Sequence, residues 1–146
     1  MKTVAVVKSF ATVALLLAFL IVLPASRADE SDQATKVTFN QSVQISGRVL
    51  PAGTYWFVLP NGMTHVVRIF SADRTTLYAT VFAINAERPQ PTDKPTFTLG
   101  VPGSAQPQAI VYWFYPGNTI GHEFQYPKRV QEELAKDKQV TIVAGD

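Results

Sequence analysis

Asn61-Gly62 is the strongest hairpin signal in the chain, and an apolar run lies on each side of it. A type I′ turn needs left-handed backbone at both central residues, and this pair tolerates that best. Residues 55–59, Tyr-Trp-Phe-Val-Leu, lead in and are apolar on both faces; residues 64–70 lead back. Residues 71–75 give a second turn signal, and residues 76–84 are the longest strand pattern. Strand side chains alternate between faces. Leu77, Ala79, Val81 and Ala83 therefore face one way, and Tyr78, Thr80, Phe82 and Ile84 the other. Residues 54–84 are expected to form an antiparallel three-strand meander, with the turn spacing of sandwiches and barrels.

The rest of the chain extends this pattern. Val37 and Phe39 share a face of a strand over residues 36–39, and Val43 and Ile45 repeat the spacing. Residues 48–50 run into the turn Pro51-Ala-Gly53, where glycine supplies backbone angles that other residues avoid. Pro89, Pro91 and Pro95 mark residues 85–95 as a long irregular loop. Residues 96–99 read as a short strand, 100–107 as a loop, and 109–115 as an aromatic strand ended by Pro116-Gly117-Asn118. One helix is expected over residues 128–138. Pro127 suits its first position, Val130 and Leu134 make an apolar stripe, and Glu132 and Lys136 are a favourable pair one turn apart. So short a helix must dock on the sheet to persist. Residues 139–143 then give a last strand. The fold class is all-β: an antiparallel β-sandwich or flattened barrel of about seven or eight strands, with one short C-terminal helix.

Residues 1–28 read as a secretory signal peptide. Lys2 and Lys8 form its basic start, residues 10–23 an uncharged apolar stretch of 14 residues, and Pro24 ends that stretch. Ser26-Arg27-Ala28 puts small residues at the −3 and −1 positions of a cut before Asp29. An uncleaved anchor is the alternative, yet the stretch falls short of the ~20 residues of a spanning helix. No later segment is apolar for long enough to span a membrane. The expected localisation is exported, periplasmic or extracellular. Residues 29–35 are polar and expected as a flexible lead-in, and residues 36–146 as a single β-rich domain.

Of 13 basic residues, Lys2, Lys8 and Arg27 precede the cut, leaving 10 against all 11 acids and a net charge of −1. Such a chain has no electrostatic reason to seek nucleic acid. It has no cysteine, so it folds without disulfides and has no acylated cysteine as an anchor. Export without cysteine is common among bacterial envelope proteins.

Three stretches together carry a resemblance. They are Val37-Thr-Phe-Asn-Gln with Leu50-Pro-Ala-Gly-Thr-Tyr55, Ile69-Phe-Ser-Ala-Asp with Leu77-Tyr-Ala-Thr80, and Trp113-Phe-Tyr-Pro-Gly117 with Gly121-His-Glu-Phe-Gln-Tyr-Pro-Lys128. The mature chain resembles a group of small exported proteins of unknown function from soil bacteria. The resemblance implies no catalytic residues. Leu50-Pro-Ala-Gly-Thr-Tyr55 alone is similar to a turn-plus-strand found in many exported β-sandwich modules, including carboxypeptidase-regulatory-like domains.

Candidate chemistry is sparse. His122-Glu123 follows the aromatic strand, and a metal or acid–base site would use both side chains. Catalytic zinc takes about three protein ligands, and His65 is the other histidine. His65, His122 and Glu123 meet only if the Asn61-Gly62 turn lies beside the Gly121 loop. No His-Glu-x-x-His helix or Gly-x-Ser-x-Gly elbow is present, so no cofactor or metal is assigned. The aromatic strand is the better lead. If exposed, Trp113 and Tyr115 form a platform for sugar rings or a partner's apolar surface; otherwise the sheet is covered on both sides. Arg68 lies inside an apolar strand, where it faces solvent or pairs with Glu87 or Glu123.

The expected function is an exported, non-catalytic module that binds an envelope protein or glycan through Trp113, Tyr115, His122 and Glu123. The alternatives are a small hydrolytic or metal-dependent enzyme around His122 and Glu123, and a structural envelope component. Mass spectrometry of the protein recovered from an exporting bacterial host is expected to show a chain beginning at Asp29. A chain that still carries residues 1–28 would show the anchor instead.

Overall fold

The computed structural model describes residues 33–103 and 106–144. The signal peptide over 1–28 and residues 29–32 of the lead-in lie outside the described residues. The expected meander is formed by β4 (Gly53–Leu59), β5 (Val66–Ser71) and β6 (Leu77–Glu87). They pair antiparallel in sequence order, with Phe57 opposite Ile69 and Val67 opposite Val81.

The turns differ from the sequence expectation. At Asn61-Gly62 only the glycine has positive φ, 77°, and Met63 N–H donates to Pro60 O at 3.0 Å. Positive φ at the second central residue alone is the type II pattern, here set within a longer connection. The type I′ pattern lies at Ser46-Gly47, with φ of 48° and 86°. It joins β2 (Val43–Ile45) to β3 (Arg48–Leu50), with Ile45 opposite Arg48. The turn after β5 is built around Asp73, whose carboxylate accepts from Ser71 Oγ at 2.6 Å, Thr75 Oγ1 at 2.7 Å and Thr75 N at 3.1 Å. These bonds hold its carboxyl at about 2, below the usual 3.8.

β1 (Gln33–Phe39) pairs antiparallel along the whole of β4, with Gln33 opposite Leu59 and Thr35 opposite Phe57. The strand thus begins at Gln33 and takes in three residues read as flexible lead-in, because their backbone completes the β4 ladder. Beyond β6 come β7 (Thr96–Gly100), β8 (Gln108–Phe114), β9 (Ile120–Phe124), the helix α1 (Lys128–Lys136) and β10 (Val140–Val143). The strand order is β1-β4-β5-β6-β9-β8-β2-β3, and β7 joins β8 to β10. The described residues therefore contain ten strands rather than the smaller number expected. One pair, β2 with β8, is parallel, so the sheet is mixed and not purely antiparallel.

β6 makes this one sheet behave as two layers. Up to Phe82 it pairs with β5, and from Ala83 to Glu87 it pairs with β9. It continues past Ile84 into residues read as loop. Val37, Phe39, Phe57, Val67 and Ile69 come from the first layer, Phe97, Ile110, Trp113 and Phe124 from the second, and all are buried in one core. Five of these rings touch. Phe57 lies 4.9 Å from Phe97, 6.1 Å from Trp113 and 6.4 Å from Phe124, edge on in each case, and Phe39 is 6.3 Å away. Edge-to-face contacts of this kind add about 0.5–1.5 kcal/mol each beyond buried area.

The helix docks as its stripe requires: Leu134 is buried and Val130 packs against the core. A Cβ at Gly100 would stand 2.8 Å from Leu134 Cδ2, so the glycine makes room for the helix. Its ion pair is Lys136 with Glu133 at 3.3 Å, three residues apart, rather than with Glu132. Gly121 is more constrained. A Cβ there would meet Trp113 O at 2.6 Å and drive into the Phe114 ring. Gly121→Ala is expected to destabilise by at least about 2–3 kcal/mol, the scale of overpacking in a closed core. Urea denaturation would read this, and a loss below about 0.5 kcal/mol, the scale of an ordinary surface change, would contradict it.

Candidate functional site

The aromatic strand offers no platform at Trp113. Its ring is fully buried (0 % exposed). Its Nε1–H donates to Thr35 Oγ1 at 3.1 Å, and Phe97 stacks on it at 6.2 Å and 7°. A buried indole N–H needs an acceptor, and β1 supplies it from across the core. Tyr115 is half-buried and follows the end of β8, with its carbonyl accepting from Arg88 Nη2 at 3.2 Å.

His122 and Glu123 do not share a site. In β9, His122 stands opposite Trp113 and Asn85, and Glu123 opposite Tyr112 and Ile84. Alternation sends them to opposite faces of the sheet. Glu123 faces outward beside Tyr112, whose phenol is raised by burial first and by the Glu123 charge second. Among the described residues, no group of three His, Cys, Asp or Glu side chains is placed to hold a metal. The sequence reading placed Gly121 in a loop. Glycine and a His-Glu pair gave no apolar alternation, yet β9 forms because β6 and β8 both offer it ladder partners.

His122 faces inward at one end of the sandwich. There it lines a recess of about 460 Å³ with Gln33, Leu59, Thr64, Asn85 and residues 117–120. The recess gathers the first residue of β1, the last of β4, Asn85 near the end of β6 and the start of β9. Every other lining side chain is uncharged, and burial favours the neutral form of His122. His122 is 6 % exposed, its ring centroid lies 5.2 Å from that of Trp113, and its Nδ1 has no hydrogen-bond partner. A buried polar nitrogen left alone is uncommon.

Arg88 holds the rim, a role its place after a strand did not signal. Its Nε donates to Asn118 O at 2.9 Å, and Nη1 donates to Thr92 Oγ1 at 3.0 Å and Thr96 Oγ1 at 3.2 Å. Its guanidinium lies 4.6 Å from the centre of the Phe114 ring. Every one of these acceptors is a neutral oxygen, and burial lowers the guanidinium from its usual 12.5. With Gly117 N–H on Thr92 O at 2.9 Å, the proline-rich loop and the rim become one braced unit. Arg68, by contrast, is exposed on β5. Comparison with protein-family models, curated proteins and solved structures returns no match.

Burial pushes the His122 imidazole below its usual 6.5, and the charge of His65 adds to this. The folded state then binds that proton less readily than the unfolded chain. Stability is full above the unfolded pKa and is lost as pH falls below it. The melting temperature is expected to hold between about pH 7 and 8 and to fall from about pH 6.5 downward. His122→Asn should flatten that limb. An unchanged limb in the variant would assign the acid sensitivity elsewhere.

Proposed function

We propose that this chain is an exported, non-catalytic binding module that takes an uncharged, hydroxyl-rich ligand, such as an envelope glycan, in the recess beside His122. The carrying observation is the unpartnered, nearly buried His122 Nδ1 in a recess edged by the amides of Gln33 and Asn85 and the hydroxyls of Thr64 and Thr119. Amides and hydroxyls both donate and accept, which suits sugar hydroxyls. Leu59 and the exposed Ile120 add an apolar ledge for C–H faces. The size falls within the range of about 300–1,000 Å³ usual for small-ligand sites. The Arg88 brace supports the reading, since a rim held before binding lowers the ordering cost of the complex.

A binding role is favoured over hydrolysis because Glu123, the carboxylate next to His122, projects from the other face. The apolar start and the Ser26-Arg27-Ala28 cut support an exported location.

Thermal melting of the exported protein against a panel of neutral oligosaccharides tests this. A ligand at about 100 times its Kd stabilises by about 2.7 kcal/mol. At least one neutral oligosaccharide is expected to raise the melting temperature. Asn85→Ala and His122→Asn should each remove the rise, while Glu123→Gln keeps it. No rise with any member, or a rise untouched by Asn85→Ala, would overturn the reading.

A further inference from the structure

The outer face of the first layer is a separate surface. Register places Lys36, Trp56, Phe70 and Leu77 in one cross-strand row, Ala34, Val58, Arg68 and Thr80 in the next, and Val66 with Phe82 in a third. Phe82 is 70 % exposed where β6 passes from β5 to β9, Leu77 is 49 % exposed, and Ile84 continues the band along β6 at 48 %. Lys36 and Arg68 are exposed in the rows. Arg74 adds a third cation, its guanidinium 3.9 Å over the Trp56 ring. No carboxylate and no side-chain amide occurs in these three rows. Asp73 is engaged within its own turn, and Glu123 stands opposite Ile84 on the second layer.

We propose that this face docks onto a bilayer surface bearing anionic lipid headgroups, with Phe82, Leu77 and Ile84 entering the interface and Lys36, Arg68 and Arg74 contacting headgroups. Charge complementarity decides the sign of the partner. Exposed apolar side chains among cations give the two attractions that interfacial binding combines, area and charge. A polysaccharide ligand fits less well, because the face lacks the amides and carboxylates that would read hydroxyls. Thr38 and Thr54, its remaining hydroxyls near Lys36, bond each other at 2.8 Å. The surface is independent of the His122 recess, so either proposal can fail alone.

Co-sedimentation of the exported protein with vesicles tests it. One vesicle is phosphatidylcholine alone and the other phosphatidylcholine mixed with phosphatidylglycerol. Binding is expected to the mixed vesicles only, and to weaken with added salt. Arg68→Ala should weaken it about five-fold, the share of one basic side chain. Phe82→Ser should weaken it about ten-fold through lost apolar contact. Both positions are exposed, and unchanged melting of each variant confirms an intact fold. Equal binding to phosphatidylcholine alone, or full binding by both variants, overturns the proposal, because an apolar N-terminal segment by itself would give that result. Binding to soluble polyglutamate but to neither vesicle overturns it in favour of an acidic protein partner.

Discussion

The Trp113 indole decides how the two layers meet. Its N–H is buried among aromatic rings, where an unmade bond costs about 1–3 kcal/mol. The acceptor is Thr35 Oγ1 on β1, across the core from β8. One hydrogen bond thus fixes the position of an edge strand against the centre of the opposite layer. The rings around it leave little freedom. Phe97 stacks on Trp113, and Phe57 meets both edge on. A chain without cysteine has no covalent means of locking two layers together, and this cluster does that work by shape.

The recess follows from the same constraint. With Trp113 set, its β9 neighbour His122 lies beside the ring, and the register carries Asn85 of β6 to the same end of the sandwich. Gly121 lets Phe114 lie flat over β9, and Phe114 in turn gives Arg88 a ring to cover. Arg88 then gathers carbonyls from residues 115 and 118. A sequence of close contacts therefore runs from the core indole to the rim without any charged partner. Tyr126 closes the far end of β8 in a similar way. Its hydroxyl lies between the carbonyls of Gln44 and Ile110 at 3.1 and 2.7 Å, bridging the parallel pair β2 and β8, and burial raises its pKa.

Periodicity revealed what periodicity governs. Alternation in residues 76–84 put Ala79, Val81 and Ala83 on one face and Phe82 and Ile84 on the other, as found, but Leu77, expected beside Ala79, lies exposed on the opposite face, because the register shift at Ile69 and Phe70 pairs it with Phe70. The four-residue spacing of Val130 and Leu134 placed the helix face. The site was less legible, because its parts depend on tertiary pairing. β9 has glycine where a packed strand would carry a side chain, and the Phe114 ring and the Trp113 carbonyl explain why. Aromatic richness at 112–115 could not say which ring is core, since the answer lies with Thr35 on a distant strand. The turn signals were read by composition. Asn-Gly suggested a tight hairpin, yet the backbone that needs positive φ twice is Ser46-Gly47, fixed there by the short β2–β3 ladder.

The two outer faces of the sandwich are treated unequally. On the second layer, Leu134 covers Gly100 and Arg88 covers Phe114, so the helix and the most highly bonded arginine serve one side. On the first layer, the described elements place no helix or strand over Phe82 or Arg68, and Arg74 shields only Trp56. Folding alone gives little reason to keep a phenylalanine 70 % exposed on β6, because most of its apolar area stays in water in both states and adds little to stability. A row-by-row alternation that can place threonine at 80 can place it at 82 equally well. The exposed ring therefore supports the proposal of a docking face, and the cations beside it favour a negative partner there.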